Sequence, residues 1–160
     1  MVLLVDDEHI VRLTATGLLE SLGYRVLVAS DGIEAVELFS QRSEEIDVVL
    51  LDLIMPERDG RASFAAMRKI DSRVPIVLSS GWGYETAARD FPEQGLAGLI
   101  TKPYPAIGEF SRILAGAIAK RGRDEDEERV ESEVLQPEPK RTLTEHQTTR
   151  LRLGSKASER

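Results

Sequence analysis

Cysteine is absent from the 160-residue sequence, which excludes disulfide bonds and thiolate metal sites. Aromatic residues make up only 5% of the chain, and histidine occurs only twice. Every aromatic side chain lies at or before Phe110. We therefore expect the part of the chain that packs a core to end soon after that position.

Long apolar runs are also missing, since none approaches the ~18 residues that cross a bilayer. The N-terminus turns acidic at Asp6 and lacks the basic flank of a signal peptide. A formal net charge of −7 disfavours nucleic acid and acidic membranes as partners, because like charges repel. These absences predict a cytoplasmic protein that binds neither nucleic acid nor membrane.

The composition changes sharply after Lys120. Residues 121–160 contain nine Lys/Arg, ten Asp/Glu and two prolines, with few apolar side chains. Such a segment cannot bury enough apolar surface to offset the entropy lost on ordering. We predict a folded domain over 1–120 and a charged, disordered tail over 121–160 that is dispensable for folding.

Residues 1–120 alternate between two apolar patterns. Short continuous apolar runs predict five buried strands: Val2–Val5, Arg25–Ala29, Val48–Leu51, Pro75–Leu78 and Leu96–Ile100. Each is followed by a segment read as a helix, the fourth a short one over roughly 84–91. Strands that alternate with helices predict an α/β domain whose parallel sheet is covered on both faces.

Polar residues follow four of these strands. They are Asp6 and Asp7 after the first, Asp52 after the third, Ser79 and Ser80 after the fourth, and Lys102 after the fifth. Ligands of open α/β sheets bind beyond the carboxyl ends of the strands. If these strands are neighbours, three carboxylates, a hydroxyl and an ammonium group converge on one place.

This convergence has a chemical reading. Two like charges 4 Å apart repel by about 4 kcal/mol at an effective dielectric of 20, and Mg²⁺, which prefers oxygen ligands, relieves the repulsion. A carboxylate can act as a nucleophile toward phosphorus, and phosphoryl transfer mostly needs positioning and charge neutralisation. Each residue alone has an ordinary explanation, such as helix capping by the Asp6-Asp7 pair. Coincidences at four of five strand ends are not expected.

Several segments resemble the receiver domain of two-component response regulators. They are Val5-Asp6-Asp7-Glu8, Leu51–Pro56 followed by Asp59-Gly60, Ser80 five residues after Pro75, and Lys102-Pro103-Tyr104. The motifs come in the family's order on the expected strands, and the resemblance covers residues 2 to about 118. The stretches near Ser80 and before Lys102 look most like receivers attached to hybrid sensor kinases.

The resemblance implies a flavodoxin-like, doubly wound five-stranded parallel sheet with strand order 2-1-3-4-5. It implies that Asp52 accepts a phosphoryl group from a sensor histidine kinase or a phosphotransfer protein. It further implies that Mg²⁺ binds Asp7, Asp52 and the main-chain carbonyl of Ile54, with Asp6 as a further or water-mediated ligand. Such a protein assists its own phosphorylation and dephosphorylation but is otherwise not an enzyme.

The family's switch residues are only partly present. Ser80 matches the switch hydroxyl and Lys102 matches the conserved ammonium partner of the phosphoryl group. Output would reach a downstream protein through the face formed by the fourth helix, the fifth strand and the last helix. At the position of the usual aromatic switch residue the chain has Leu99.

Several other functions fit these residues less well. An aspartyl-phosphate phosphatase would need an acid two residues after its nucleophile, where Ile54 stands, and a flavin site would need a phosphate-binding loop in place of the first acidic pair. The tail shows no helix-turn-helix pattern for DNA binding. The receiver part of a hybrid histidine kinase and a phosphorylation-independent interaction module remain as alternatives.

Overall fold

The structure, a computed structural model, describes residues 1–55, 60–81 and 96–134, with the backbone alone over 122–134. Its strands are β1 (Val2–Val5), β2 (Val26–Ala29), β3 (Val48–Asp52), β4 (Ile76–Ser80) and β5 (Leu96–Thr101). Its helices are α1 (His9–Ser21), α2 (Gly32–Arg42), α3 (Gly60–Ile70) and a C-terminal helix (Ile107–Val134), with a 3₁₀ turn over Ser43–Glu45. No helix in the described part of the chain is long and apolar enough to cross a membrane.

The five strands form one parallel sheet in the order β2-β1-β3-β4-β5. This confirms the doubly wound topology and the strand order that the sequence predicted. β1 and β3 lie in the middle of the sheet, and every residue in both is buried. Their continuous apolar runs are explained by this position, because both faces of a central parallel strand are covered.

Helices cover the two faces of the sheet with separate apolar clusters. On one face α2 and α3 bury residues that include Phe39, Phe64 and Met67. On the other face α1 and the C-terminal helix bury Leu19, Phe110 and others. The chain therefore has apolar layers above and below the sheet.

The C-terminal helix differs from the sequence prediction. It continues to Val134, past the boundary that the composition change placed at Lys120. Arg121 belongs to the folded body, because its Nη1 donates to the Ile46 carbonyl at 2.8 Å and its Nη2 lies 3.2 Å from Asp71 Oδ2. The rest of the predicted tail, 135–160, lies outside the described residues, as does the helix predicted over 84–91.

Candidate phosphoacceptor site

Four strands deliver the predicted site residues to one edge of the sheet. Asp6 and Asp7 follow β1, Asp52 ends β3, Ser80 ends β4, and Lys102 follows β5 directly. The strand order places β1, β3, β4 and β5 side by side, so the condition set by the sequence is met. Parallel strands all end at the same edge, which brings these side chains together.

The three carboxylates are crowded. One carboxylate oxygen from each of Asp6, Asp7 and Asp52 lies within 4.8 Å of the others. Asp6 is fully buried and Asp52 is 4% exposed, whereas Asp7 is half-buried. Burial strengthens the repulsion between these charges, because the surrounding protein screens them less than water does.

Lys102 is the cation that faces this cluster. Its Nζ donates a hydrogen bond to Asp52 Oδ2 at 2.8 Å and lies 2.7 Å from Asp6 Oδ2. The contact to Asp6 is an ion pair without hydrogen-bond geometry, and Asp6 Oδ2 makes no hydrogen bond within the described part of the chain. The backbone N–H of Lys102 donates to the Ser80 carbonyl at 2.8 Å, which fixes the start of the loop.

These surroundings shift the pKa values of both partners. Burial raises the pKa of Asp52 above its ordinary value, and the hydrogen bond from Lys102 offsets this only in part. Burial alone would lower the pKa of Lys102, but its contacts with Asp52 and Asp6 outweigh that effect and the net change is upward. Lys102 therefore stays charged, while the ionised form of Asp52 is disfavoured.

Two hydrogen bonds hold the loop that follows β1 in place. Asp6 Oδ1 accepts a hydrogen bond from the Glu8 amide at 3.0 Å, and the Asp6 carbonyl accepts one from Arg12 Nη1 at 2.7 Å. Sequence reasoning missed Arg12, since a single basic residue on α1 carries no pattern of its own. Its guanidinium anchors the backbone that carries the acidic pair.

The two serines at the end of β4 occupy different positions. The strand register pairs Asp52 with Ser79, and Ser79 Oγ donates to the Tyr104 hydroxyl over a long 3.5 Å. Ser80 is fully buried, and its carbonyl accepts the hydrogen bond from the Lys102 backbone amide. The choice of Ser80 over Ser79 as the switch hydroxyl therefore stays a prediction.

Tyr104 is part of the receiver-like motif Lys102-Pro103-Tyr104, but the sequence alone indicates no role for it. Its ring packs edge-on against Phe110 of the C-terminal helix, with the ring centroids 5.3 Å apart. Burial raises the pKa of the Tyr104 phenol, and the nearby Asp6 and Asp52 charges raise it further. The phenol therefore stays protonated at the margin of the acidic site.

A cleft of about 530 Å³ opens beside the carboxylates. Its described lining residues are Asp7, Glu8, Asp52, Ile54, Met55, Gly81 and Lys102. The cleft lies directly beside Asp52, and Ile54, which also lines it, is 56% exposed. The predicted neighbours Pro56 and Asp59 lie outside the described residues.

The donor set fits a hard divalent cation. Three carboxylates supply oxygen ligands, which Mg²⁺ prefers, and the open cleft leaves room for the waters that this ion keeps. The buried Asp6 Oδ2 has an unused hydrogen-bonding capacity that a metal-bound water would satisfy. Ile54 also lines the cleft. Its amide donates a hydrogen bond to Asp52 Oδ1 at 3.2 Å.

Comparison with known proteins agrees with this geometry. The response regulator receiver domain family matches residues 2–112. The chain belongs to this family. It is therefore a receiver domain of two-component systems, the type of module in which an aspartate accepts a phosphoryl group, as the resemblance predicted.

Individual receivers show how widely this module is used. The chain is 36% identical over 103 residues to the sensor kinase CckA of Brucella abortus, which covers 64% of the chain and 11% of the kinase. It is 31% identical to the chemotaxis protein CheY of Bacillus subtilis, over 66% of the chain and 87% of CheY. The chain thus spans a small part of one curated relative and nearly all of the other.

A solved receiver gives the structural comparison. The receiver domain of a sensor histidine kinase from Pseudomonas aeruginosa, with a magnesium ion coordinated in its active-site cleft, matches with a TM-score of 0.66. The two are 29% identical, and the match covers 74% of this chain and 96% of that one. The receiver domain of the hybrid histidine kinase CckA also matches, with 30% identity, a TM-score of 0.60 and coverage of 72% of this chain and 97% of that one.

Proposed function

We propose that Asp52 is the phosphoacceptor of this receiver and that Mg²⁺ is required for its phosphorylation. The observation that carries the proposal is the crowding of Asp6, Asp7 and Asp52 around a cleft that only one described ammonium group, that of Lys102, enters. Asp52 ends its strand in the middle of this group and lines the cleft. It is therefore the carboxylate best placed to meet an incoming phosphoryl group.

In the proposed reaction an oxygen of Asp52 attacks the phosphorus of a phosphohistidine on a sensor histidine kinase or phosphotransfer protein. The bond between phosphorus and nitrogen breaks, and the histidine nitrogen keeps the electron pair. Mg²⁺ held by Asp7, Asp52 and the Ile54 carbonyl, with Asp6 through water, would neutralise charge on the phosphoryl oxygens. Asp52 itself becomes phosphorylated and must lose the phosphoryl group before it can react again. The chain therefore does not turn over a separate substrate.

Lys102 and a β4 hydroxyl are proposed to stabilise the phosphorylated state. The Lys102 ammonium already reaches Asp52 Oδ2 and can turn to a phosphoryl oxygen on the same residue. Ser80 is proposed as the hydroxyl donor. Release of Lys102 from Asp6 would move the loop between β5 and the C-terminal helix. We propose that this movement reaches a downstream protein through β5, the C-terminal helix and the helix predicted over 84–91.

The proposed setting is a cytoplasmic phosphorelay without nucleic acid or membrane as a direct partner. The alternative of an interaction module that no longer takes phosphate is disfavoured, because Asp7, Asp52 and Lys102 are brought together with the cleft open beside them. Whether the chain works alone or beside a kinase leaves the chemistry at Asp52 the same.

Incubation with acetyl phosphate and Mg²⁺, followed by intact mass measurement, tests the proposal. We expect one phosphoryl group on the parent chain and none on Asp52→Asn or in the presence of EDTA. Ser80→Ala is expected to slow labelling more than Ser79→Ala, which serves as the matched control. Phosphate incorporation that persists in Asp52→Asn would defeat the assignment of the acceptor.

A further inference from the structure

Gly60 begins α3 with its backbone pressed against the end of β3. Its amide donates to the Leu53 carbonyl at 3.3 Å. A Cβ atom built on Gly60 would lie 2.4 Å from the Asp52 carbonyl oxygen and 2.9 Å from the Leu53 Cα. Both are backbone atoms that cannot rotate away, so any side chain at position 60 requires a shift of the main chain.

The helix has little freedom to make that shift. Ser63, Phe64 and Met67 on α3 are buried, and Ser63 Oγ donates to the Gly32 carbonyl at the start of α2 over 3.3 Å. These contacts tie the first turns of α3 to α2 and the sheet. Moving α3 outward would open a space in a packed layer, which is unfavourable.

The strand is equally restricted, because β3 is paired with β1 on one side and β4 on the other. The clash itself falls on the peptide that follows Asp52, whose Leu53 amide donates to the Ser79 carbonyl at 3.0 Å. Ile54 is 56% exposed, and the hydrogen bond from its amide to Asp52 Oδ1 is 3.2 Å long. A methyl group at position 60 would therefore press directly on the backbone between Asp52 and Ile54.

We propose that Gly60 is a positioning residue for the acidic site. Its lack of a side chain allows α3 to approach β3 closely and so sets the Asp52 carboxylate and the Ile54 carbonyl relative to Asp7. This inference rests on the proposed function, since it concerns how well the same site holds Mg²⁺ and accepts phosphate. It assigns Gly60 a role in the site in addition to one in the turn.

Gly60→Ala in the full chain tests the inference, with Gly17→Ala and Gly116→Ala as matched controls. Both control glycines lie in helices and a Cβ on either meets nothing within 4 Å. Mg²⁺ affinity is measured by calorimetric titration, and the initial rate of labelling by acetyl phosphate is measured at an Mg²⁺ concentration below saturation. We expect Gly60→Ala to weaken Mg²⁺ binding at least about tenfold, a loss typical of a disturbed metal surrounding, and to slow labelling accordingly.

A role confined to folding would lower the unfolding temperature of Gly60→Ala and leave its Mg²⁺ affinity unchanged. Affinity within twofold of the parent in the folded variant would therefore overturn the inference. If the variant is unstable, it is measured in a background that carries both control substitutions, since Ala favours a helix over Gly. Failure to fold even there would make Gly60 a folding residue and would also overturn it.

The controls separate this inference from the function on which it rests. A parent chain that neither binds Mg²⁺ nor becomes labelled at Asp52 would refute the proposed function. A parent that does both, alongside a Gly60→Ala variant that does so equally well, would refute only the role of Gly60.

Discussion

The two ends of the sheet treat charge in opposite ways. At the carboxyl ends of the strands, Asp6, Asp7 and Asp52 face one ammonium group among the described residues, that of Lys102. At the amino ends, Asp71 accepts a backbone hydrogen bond and a guanidinium contact, and Asp47 pairs with the N-terminal ammonium group. Among the described residues, the first end places three carboxylates beside one ammonium group, whereas Asp71 and Asp47 at the second end each have a cationic partner.

Several described side chains at the amino end make hydrogen bonds or ion pairs. Asp71 Oδ1 accepts from the Arg73 amide at 2.8 Å, and Asp71 Oδ2 lies 3.2 Å from Arg121 Nη2. Arg121 also donates to the Ile46 carbonyl, and Arg68 donates to the Val74 carbonyl. Each contact links a helix or a loop to the start of a strand, so this end stabilises the domain.

The difference separates stability from function. Carboxylates held close together destabilise a fold, and proteins commonly give up stability at functional sites. The raised pKa of Asp52 is the local sign of this. The comparison therefore predicts that loss of a paired group at the amino end lowers the free energy of unfolding. Removal of a negative charge from the carboxylate cluster at the carboxyl end is predicted to raise it.

Shortening the chain after Lys120 is the change with the largest expected effect. It removes Arg121 and leaves the Ile46 carbonyl and Asp71 without their guanidinium partner, which costs about 2 kcal/mol of unfolding free energy. Shortening after Val134 keeps these contacts and is expected to change the unfolding free energy by less than about 0.5 kcal/mol. Urea unfolding of the two shortened chains and the full chain gives the comparison.

Arg121→Met in the full chain is the control for this prediction. If the loss comes from the guanidinium contacts, this variant reproduces most of it. Equal stability of the full chain and the chain that ends at Lys120 would show that Arg121 adds nothing, as the composition of the segment had suggested.

Asp52→Asn is expected to raise the unfolding free energy of the metal-free protein by about 1 kcal/mol at pH 7.5. Because the pKa of Asp52 is higher in the folded chain than its ordinary value, its ionisation destabilises the fold. This destabilisation is absent where Asp52 is protonated in both states, grows as the pH rises through the folded-state pKa, and is complete above it.

The gain in Asp52→Asn should therefore shrink as the pH falls toward about 4, the ordinary pKa of an aspartate. Urea unfolding of parent and variant in EDTA at several pH values measures this trend. A variant less stable than the parent at pH 7.5 would mean that the contact between Lys102 and Asp52 outweighs the crowding of the carboxylates.

Continuous apolar strands and apolar helical spacing are local signals, and they predicted a parallel sheet covered by helices on both faces. The strand order came from the resemblance to receiver domains. The sequence also predicted the site, since Asp52 and Lys102 follow strands whose ends must meet. The end of the folded body was harder to place. Arg121 looks like the first residue of a charged segment, and only the return of the C-terminal helix to the amino end of the sheet shows that it has partners there.

Other features depended on contacts that leave no local pattern. The anchoring of the Asp6 carbonyl by Arg12 and the contact between Ser79 and Tyr104 require the strand order and the path of two helices. Strand alternation favours one β4 serine, but the pairing of Asp52 with Ser79 arises only from the register. These contacts set the details of the site after the strand ends have set its position.

Calorimetric titration of the full chain with Mg²⁺ tests the central claim most directly, with Asp7→Asn and Asp47→Asn as the variant and its control. Asp47 precedes β3 at the opposite end of the sheet and its side chain is 57% exposed, so its removal should leave the site intact. The account predicts one Mg²⁺ bound per parent chain, affinity at least about tenfold weaker in Asp7→Asn, and no change in Asp47→Asn. A parent chain without Mg²⁺ binding, or equal weakening by both substitutions, would contradict it.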